Sequence, residues 1–532
     1  MAMRLPRFAV RRALIYTHRW LGIAGGLLFV AWFVSGLVMM YERMPALAPE
    51  ERLMRLPPLD LSELAVAPAD AAHGAGFQPD RLRVGMLGRR PVYRFTRDGE
   101  WSTVFADDGR PLRGLTAGEA IALAHQFAPE FARGIQYDAH LTDPDQWTLQ
   151  LRGLMPMHRV ALGDSSLGES NDSYIYISDR TGEAVMKTTR AGRRWAYAGA
   201  VMHWLYFTPF RRQTGLWVNT VIWLSIAGCL LTLSGLLWGI WRYSLRTRYR
   251  RKGIRARSPY AGLMRWHHYA GLIFGLTTFT WILSGCLSMD PWSWHPGTSP
   301  TRQQRDAVAG GPPRLDLVTP ERLRAALDAI APSFVPKELE VLQFRAEPFL
   351  VAYRPPSARQ TGDGRRIEPS TFLSAVQPIE HLAISVVAPE RGTFTRFDED
   401  DVLAAARPAL PGIAVEDAVW LQDYDDYYYR RDRALPLPVL RLQFGDPQQT
   451  WLYVDPQRGM ILRKEERLTR LNRWLYHGLH NLDFRFLYNR RPLWDIVVIL
   501  LTLGGIVLSV SSMRQAWRRL RRHSRRLTGR RA

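Results

Sequence analysis

The chain has very few cysteines: two among its 532 residues. That number excludes a small secreted scaffold held by disulfides and any iron–sulfur or zinc site with four cysteine ligands. A C-x-x-C-H motif is absent, which excludes covalently attached c-type haem. The sequence has neither a P-loop nor a G-x-G-x-x-G following a strand, so it carries no recognisable nucleotide-binding or flavin-binding domain. We interpret Cys229 and Cys286, which fall inside apolar segments, as small buried residues.

Acidic residues are missing from three stretches that are rich in arginine. Residues 1–19, 242–265 and 513–532 hold five, nine and nine basic residues and no acid, while the rest of the chain holds 48 basic and 49 acidic residues. The net charge of +22 therefore comes wholly from these three stretches. A chain of this charge can bind nucleic acid, but an excess confined to the flanks of apolar segments favours membrane topology as its cause. We therefore expect no nucleic-acid partner.

Four segments are long and apolar enough to cross a bilayer core of about 30 Å. They are residues 21–40, 217–241, 270–288 and 493–510. The three basic stretches lie on the same side of these spans, which is the positive-inside pattern. Both termini and the 243–265 loop are then predicted to be cytoplasmic, and both long intervening segments extracytoplasmic.

The first span also resembles a signal peptide. It follows a basic start, and Ala46-Leu47-Ala48 behind it looks like a cleavage site. Its apolar run is too long for a typical signal-peptide core, so we predict a retained membrane anchor.

An internal repeat relates the two halves of the chain. The first and third spans match at an offset of 249 residues, which aligns His18 with His267. The second and fourth match at an offset of 277, which aligns His203 with His480. Further matched pairs are Gly22 and Gly271, Gly26 and Gly275, Trp32 and Trp281, Ser35-Gly36 and Ser284-Gly285, Phe207 and Phe484, and Leu216-Trp217 and Leu493-Trp494. The sequence thus predicts a duplicated four-span bundle with a pseudo-two-fold axis along the membrane normal.

The predicted domain order follows the repeat. It comprises a cytoplasmic N-terminus and first span (1–41), an outer domain (42–195), an outer histidine segment and second span (196–242), a cytoplasmic basic loop (243–265), the third span (266–289), a second outer domain (290–470), a second outer histidine segment and fourth span (471–512), and a cytoplasmic basic tail (513–532). The predicted fold class is therefore a membrane α-helical bundle with two extracytoplasmic α+β domains.

The outer segments carry the patterns of strands, turns and one amphipathic helix. Predicted strands cover 92–95, 102–105, 173–178 and 450–454. A helix is predicted over 116–127, with Thr116 as its N-cap and Glu119 completing a capping box. Residues 297–319 and 355–370 are rich in Pro, Gly and Arg, which predicts loops.

Six histidines flank the spans, and histidine near a membrane marks a candidate functional site. His18 and His267 are predicted to open their helices on the cytoplasmic side, and His203 and His480 to precede theirs on the outer side. The repeat places the members of each pair on facing elements, which is what a haem iron with two axial imidazoles requires. We therefore predict an inner haem held by His18 and His267 and an outer haem held by His203 and His480.

Other polar residues near the spans leave two interpretations open. His268 and His477 have no histidine counterpart in the other half, so they are either secondary residues of the haem sites or interfacial polar groups. Arg211, Arg490 and Arg491 suit haem propionates or ordinary interfacial anchoring.

Two further features are also ambiguous. Gly22 and Gly26 share one helix face after His18, where they would admit a porphyrin edge or allow close helix packing. Residues 423–432, which alternate Asp and Tyr, could bind a metal chelate or a cationic ligand, or form a polar strand and turn at a domain edge.

Several motifs resemble those of the PepSY-associated transmembrane family. Residues 18–22, His-Arg-Trp-Leu-Gly, resemble its opening motif. The turns at 179–182 and 455–459 resemble the Asp-to-Gly hairpin turn of PepSY domains, although the second lacks Thr. Residues 473–484 and 491–495 resemble the C-terminal half of long members. Members of this family are bacterial inner-membrane proteins, and some are haem-containing reductases of ferric siderophores in the periplasm.

The resemblance implies a protein with two haem b groups that carries electrons outward across the inner membrane. Its donor would be cytoplasmic or a quinol, and its acceptor a ferric siderophore or another ferric chelate, which makes it a ferric-chelate reductase. The alternative is a PepSY-type membrane-anchored binding or regulatory protein without redox activity, which needs no paired histidines. A transporter is a third option, but the spans contain almost no charge to line a polar path.

Overall fold

The computed structural model describes residues 7–131, 133–163, 172–246, 248–251, 254–355, 379–430 and 434–528. The chain forms two compact units. The helical unit comprises Met1–Arg43, Arg194–Pro296 and Leu468–Ala532, and the α+β unit comprises Met44–Arg193 and Gly297–Arg467.

Helices occur in both units of the described chain. In chain order they are α1 (Arg7–Met39), α2 (Pro49–Arg55), α3 (Pro68–Gly74), α4 (Ala117–Phe127), α5 (Arg190–Ala196), α6 (Thr208–Arg212), α7 (Thr214–Arg242), α8 (Leu263–Leu287), α9 (Arg302–Ala309), α10 (Pro320–Ile330), α11 (Glu399–Ala406), α12 (Arg467–Asn472), α13 (Leu479–Asn481), α14 (Arg485–Tyr488) and α15 (Leu493–Thr528). Two π-helical segments, Tyr197–Val201 and Arg473–Gly478, interrupt the series.

The strands form sheets in the α+β unit and one small hairpin in the helical unit. They are β1 (Arg81–Leu87), β2 (Arg90–Arg97), β3 (Glu100–Phe105), β4 (Ile135–Leu141), β5 (Met157–Leu162), β6 (Ser173–Ser178), β7 (Ala184–Thr188), β8 (Tyr249–Arg251), β9 (Ile254–Ala256), β10 (Glu338–Phe344), β11 (Glu347–Arg354), β12 (Glu380–Ser385), β13 (Val415–Leu421), β14 (Val439–Phe444), β15 (Trp451–Asp455) and β16 (Met460–Glu465).

Four helices of the helical unit, α1, α7, α8 and α15, are long and apolar enough to cross a membrane. Only 17–33% of the residues in their most apolar windows are buried inside the protein. Large apolar side chains such as Leu27, Trp223 and Ile273 are about two-thirds exposed. An apolar surface of this extent is typical of helices that face lipid.

Two of these helices are longer than the sequence pattern predicts. Helix α1 begins at Arg7, so His18 lies about three turns inside it and does not open it. Helix α15 continues through the basic tail to Thr528. Neither extension contains Gly or Pro, so nothing in the local sequence ends the helix where the apolar residues end.

The described residues of the α+β unit form three sheets. The largest has six strands in the order β12-β11-β10-β1-β2-β3, and two four-stranded sheets have the orders β4-β5-β6-β7 and β13-β14-β15-β16. Strands β1 and β10 come from different halves of the chain and pair antiparallel, with Leu82 opposite Val341 and Val84 opposite Leu339. The two outer segments, which the sequence treats as separate domains, therefore share one sheet and one core.

Most local predictions for these segments agree with the structure. Helix α4 has Thr116 as its N-cap and the capping box with Glu119, and the predicted strands correspond to β2, β3, β6 and β15. The prediction of a loop over 297–319 is wrong in part, because α9 occupies Arg302–Ala309. Its start is fixed by a capping box of Thr301 and Gln304, a signal that the Pro and Gly on either side obscure. The second predicted loop lies, from residue 356 onward, outside the described residues.

Candidate functional site: two histidine pairs

The first histidine pair lies between α1 and α8. The rings of His18 and His267 approach with 6.1 Å between centroids and 45° between planes. Two imidazoles that bind one metal ion at about 2 Å per nitrogen have centroids roughly 6 Å apart. The separation therefore fits a shared axial-ligand position, which we call the inner pair.

The protein orients both inner rings through Nδ1. His18 Nδ1 lies 3.1 Å from the Leu231 carbonyl oxygen, and His267 Nδ1 lies 2.9 Å from the Ser511 hydroxyl. That hydroxyl donates to the Leu508 carbonyl, so it accepts from His267. A carbonyl can only accept, so His18 Nδ1 carries the proton as well, and Nε2 of both rings keeps a lone pair for a metal.

The residues that support the inner rings recur in equivalent positions of the two halves. Leu231 and Leu508 are related by the offset of 277 residues, and so are Ser234 and Ser511. The Ser234 hydroxyl donates to the Leu231 carbonyl as Ser511 donates to Leu508. The repeat therefore extends beyond the histidines to their supporting residues.

A cavity of about 300 Å³ surrounds the inner pair. Its lining includes both histidines and six glycines, and no acidic side chain among the described residues. The glycines are Gly22, Gly26, Gly235, Gly239, Gly271 and Gly275. A Cβ at Gly235 would lie 2.4 Å from His18 Cε1, so the His18 ring occupies space that only glycine provides. Arg19 and Arg519 line the same cavity, where their guanidinium groups suit carboxylates such as propionates.

The second histidine pair, the outer pair, lies near the other ends of the long helices. The rings of His203 and His480 also approach with 6.1 Å between centroids, here at 71°. Each histidine follows a π-helical segment: His203 follows Tyr197–Val201 and His480 follows Arg473–Gly478. π-Helical turns are rare and occur frequently at functional sites.

Equivalent atoms of the two halves also hold the outer rings. His203 Nδ1 lies 3.1 Å from the Trp32 carbonyl and 3.2 Å from the Ser35 hydroxyl. His480 Nδ1 lies 3.0 Å from the Trp281 carbonyl and 3.1 Å from the Ser284 hydroxyl. As in the inner pair, the carbonyls place the proton on Nδ1 and leave Nε2 for a metal.

Glycines lie against both outer rings. A Cβ at Gly36 would lie 3.3 Å from His203 Cε1, and one at Gly285 would lie 3.5 Å from His480 Cε1. Within the described part of the chain, none of the four paired rings has a hydrogen-bond partner for Nε2. Both sites therefore fit a haem iron with two imidazole ligands.

An apolar and aromatic core separates the two pairs along the bundle. Phe29, Phe33, Leu231 and Ile282 are buried there, and Trp281 packs 6.0 Å from the Phe33 ring. His18 and the outer-pair support Ser35 are 17 residues apart on α1, which corresponds to about 25 Å of helix. The two pairs are therefore far enough apart along the bundle to be separate sites.

Of the remaining predicted site residues, His268 also lines the inner cavity. Both ring nitrogens of His268 have protein partners, the Gly239 carbonyl and the Ser258 hydroxyl, each at 2.8 Å. With both nitrogens engaged, His268 offers no free nitrogen to a metal; it borders the inner cavity as a secondary residue and also fastens the 243–265 loop to α7. His477 lies on the π-helical segment, with its ring 4.6 Å from that of Tyr476.

Among the described residues, Arg211 and Arg491 have contacts with residues other than the paired histidines. Arg211 stacks over the Trp217 ring and donates to Thr214. Arg491 donates to Asp495 at 2.6 Å, and Arg490 is exposed. These contacts favour anchoring of the helix starts, whereas Arg19 and Arg519, which the sequence pattern does not single out, line the inner cavity.

The Asp and Tyr run, described up to residue 430, is folded onto the β13–β16 sheet. Asp425 accepts hydrogen bonds from the backbone N–H groups of Tyr427 and Tyr428 and from the Tyr453 hydroxyl, and it pairs with Arg441. A carboxylate so fully engaged shapes a loop, and the structure therefore favours the interpretation of a polar turn at a domain edge.

Sequence reasoning missed the supporting serines Ser234 and Ser511 and the space provided by Gly235. The offset of 277 aligns the two serines, so the repeat contained a signal for them. Comparison with protein-family models and with curated proteins finds no match for this chain. The geometry of the two pairs is therefore the observation that bears on function.

Proposed function

We propose that this chain is a b-type haem protein of the bacterial inner membrane that binds two haem groups and delivers electrons to an extracytoplasmic acceptor. The observation that carries the proposal is repetition: two histidine pairs have the same centroid separation of 6.1 Å and equivalent supporting residues. A haem iron between two imidazoles supplies reversible one-electron transfer.

The chain's own residues would bind, orient and enclose each group. At the inner site, His18 and His267 offer Nε2, while Leu231 and Ser511 hold the rings in place. The glycines leave room for a macrocycle, and Arg19 offers its guanidinium to a propionate. At the outer site, His203 and His480 play the same role, and the carbonyls of Trp32 and Trp281 set the ring orientation.

The aromatic core between the sites would exclude water from the bundle interior. Phe29 and Phe33 are each less than a tenth exposed. A dry interior lowers the local dielectric and stabilises uncharged imidazole ligands. Bound iron would therefore be shielded from solvent on the side of each pair that faces the core.

The membrane setting is also part of the proposal. Four apolar helices of sufficient length support a multi-pass protein, and the basic flanks support cytoplasmic termini. The electron donor would be a separate cytoplasmic protein or a quinol, because the sequence carries no recognisable nucleotide or flavin motif. We also propose that the chain belongs to the PepSY-associated transmembrane family.

The proposed acceptor is a ferric siderophore or another ferric chelate, which would make the protein a ferric-chelate reductase. Stopped-flow mixing of pre-reduced protein with ferric chelates tests this assignment. We expect rapid reoxidation, and we expect it to be lost in a His480→Ala variant. If no ferric chelate reoxidises the wild type, the reductase assignment fails, while the haem assignment stays open to its own test.

A further inference from the structure

A second cluster of metal-ligating side chains lies in the α+β unit, within its β4–β7 sheet. His140 and His158 are cross-strand neighbours on β4 and β5, and their rings stack with 4.5 Å between centroids. Asp179 directly follows β6, the strand that pairs with β5. One ligand atom from each of the three side chains lies within 4.8 Å of the others.

The carboxylate of Asp179 lies between the two imidazoles. His140 Nε2 lies 2.8 Å from Oδ2, and His158 Nε2 lies 2.8 Å from Oδ1. His158 is only 3% exposed, yet its Nε2 has no partner in hydrogen-bond geometry among the described residues. A buried imidazole nitrogen that approaches a carboxylate without a well-aligned hydrogen bond is better explained by a shared third partner.

The surroundings have the features of a metal site. The Tyr137 hydroxyl lies 3.0 Å from His158 Nδ1, which fixes the ring as an outer hydrogen bond fixes a metal-binding histidine. Asp179 Oδ1 also accepts from the Leu115 backbone N–H. The His140 side chain is 42% exposed, so an ion can reach the cluster from solvent.

The second half of the chain shows that the fold does not need this cluster. In the equivalent sheet, Trp420 and Leu440 form the corresponding cross-strand pair on β13 and β14. The β6–β7 turn is closed by a bond from Gly182 N–H to the Ser178 carbonyl, and the β15–β16 turn by one from Gly459 N–H to the Asp455 carbonyl. Asp179 therefore corresponds to Pro456.

In this register Asp455 corresponds to Ser178 and not to Asp179. Asp455 is fully buried, and burial raises the pKa of its carboxyl group. All three candidate ligands are thus confined to one of two equivalent sheets, and both sheets fold. A structural need shared by the two hairpins cannot account for them.

We propose that His140, His158 and Asp179 form a binding site for a divalent transition-metal ion, separate from the two haem sites. Two imidazole nitrogens and one carboxylate oxygen suit Zn²⁺ and similar borderline ions. Three protein ligands leave a fourth position for water or an incoming group. Such an ion would stand at an exposed edge of the α+β unit.

The test uses the full-length protein purified without a polyhistidine tag and treated with EDTA. Equilibrium dialysis against Zn²⁺, followed by elemental analysis, measures zinc per chain; iron is measured in the same samples. We expect wild type to bind one more zinc per chain than His140→Ala/His158→Ala and Asp179→Asn, with unchanged iron. His73→Ala, which removes an exposed histidine of the same unit, is the matched control and should keep the zinc.

A second variant separates metal binding from a simple hydrogen-bond network. Tyr137→Phe removes the outer partner of His158 and should weaken zinc binding by about 10- to 100-fold without abolishing it. Thermal unfolding without zinc shows whether each variant is folded. The proposal is wrong if wild type retains no more zinc than the folded double variant, or if Asp179→Asn binds zinc as tightly as wild type.

Discussion

Each of the four paired histidines is held by a backbone carbonyl or a serine hydroxyl at its Nδ1 nitrogen. The sequence could predict the pairing, because the repeat aligns His18 with His267 and His203 with His480. It could not predict which nitrogen the protein would use, since the partners Leu231 and Trp32 contribute only backbone oxygens. Backbone groups carry no sequence signal, so this part of the site needed a structure.

Substitution of Gly235 tests the inner pair without removing a metal ligand, because Gly235 only leaves room for the His18 ring. In Gly235→Ala the new methyl group would meet the His18 ring at 2.4–2.5 Å, so the ring must move away from His267. We expect loss of about half of the bound haem, measured as haem per chain. Gly25→Ala, whose Cβ would make an ordinary contact of 3.7 Å with Phe29, should retain all of it. Equal haem content in the two variants would argue against the inner site.

The contacts of Asp425 stabilise the fold of the α+β unit and do not form a binding surface. Asp425→Asn removes charge-assisted hydrogen bonds from two backbone N–H groups and from Tyr453. We expect the free energy of unfolding of this unit to fall by about 1.5–3 kcal/mol, measured by denaturant titration of tryptophan fluorescence. Asp423→Asn, at an exposed position of the same run, should change it little. If the two variants are equally stable, Asp425 has another role.

Among the elements, the long helices, helix α4 and the four strands β2, β3, β6 and β15 followed from hydrophobic pattern and capping motifs. The π-helical segments Tyr197–Val201 and Arg473–Gly478 did not. A π-helical turn contains about one residue more than an α-helical turn, and this leaves no recognisable hydrophobic pattern in so short a stretch. Both precede a histidine of the outer pair. Their placement in the two halves indicates that they set the direction in which His203 and His480 leave the backbone.

Deleting Ala198 from the first π-helical segment tests that role. The loss of one residue favours a regular α-helical turn and rotates the following residues by about 100°, which turns His203 away from His480. We expect the variant to keep the inner haem and lose the outer one, measured by haem stoichiometry. Ala198→Ser preserves the length of the segment and should keep both. A deletion variant with full haem content would show that the π turn does not position His203.

At the scale of the whole molecule, the sequence revealed the duplication but not how the two outer segments combine. Pairing between β1 and β10 joins residues that are more than 250 positions apart, and alternating strand patterns do not specify their partners. A buried charge cluster reinforces this junction. Glu338 of the second half binds Arg52 at 2.8 Å and Arg83 at 2.9 Å, both from the first half.

This cluster predicts how acid destabilises the α+β unit. Burial works to raise the pKa of Glu338, but Arg83 and Arg52 outweigh it and hold the pKa at about 2. Because the folded pKa lies below the unfolded value near 4.5, the cluster stabilises the fold above pH 4.5, and that stabilisation is lost as the pH falls toward 2.

Glu338→Gln leaves Arg52 and Arg83, whose side chains are 20% and 18% exposed, short of a carboxylate. We expect it to lower the free energy of unfolding at neutral pH by about 3 kcal/mol or more and to flatten the dependence on pH between 4.5 and 2. Urea unfolding at several pH values measures both effects, and Glu390→Gln at an exposed position is the control. If the free energy of unfolding of Glu338→Gln depends on pH as strongly as that of wild type, other groups cause the acid sensitivity.

The visible spectrum of the purified protein shows whether the two histidine pairs hold two haem groups. We expect b-type Soret and α bands on reduction and two haems per chain by pyridine haemochrome analysis. His18→Ala, His267→Ala and the double variant should each retain one haem, because the two residues serve the same iron. Two results would contradict this assignment. One is a wild-type protein without haem absorbance, and the other is a double variant that holds no haem because the losses of the two single variants are additive.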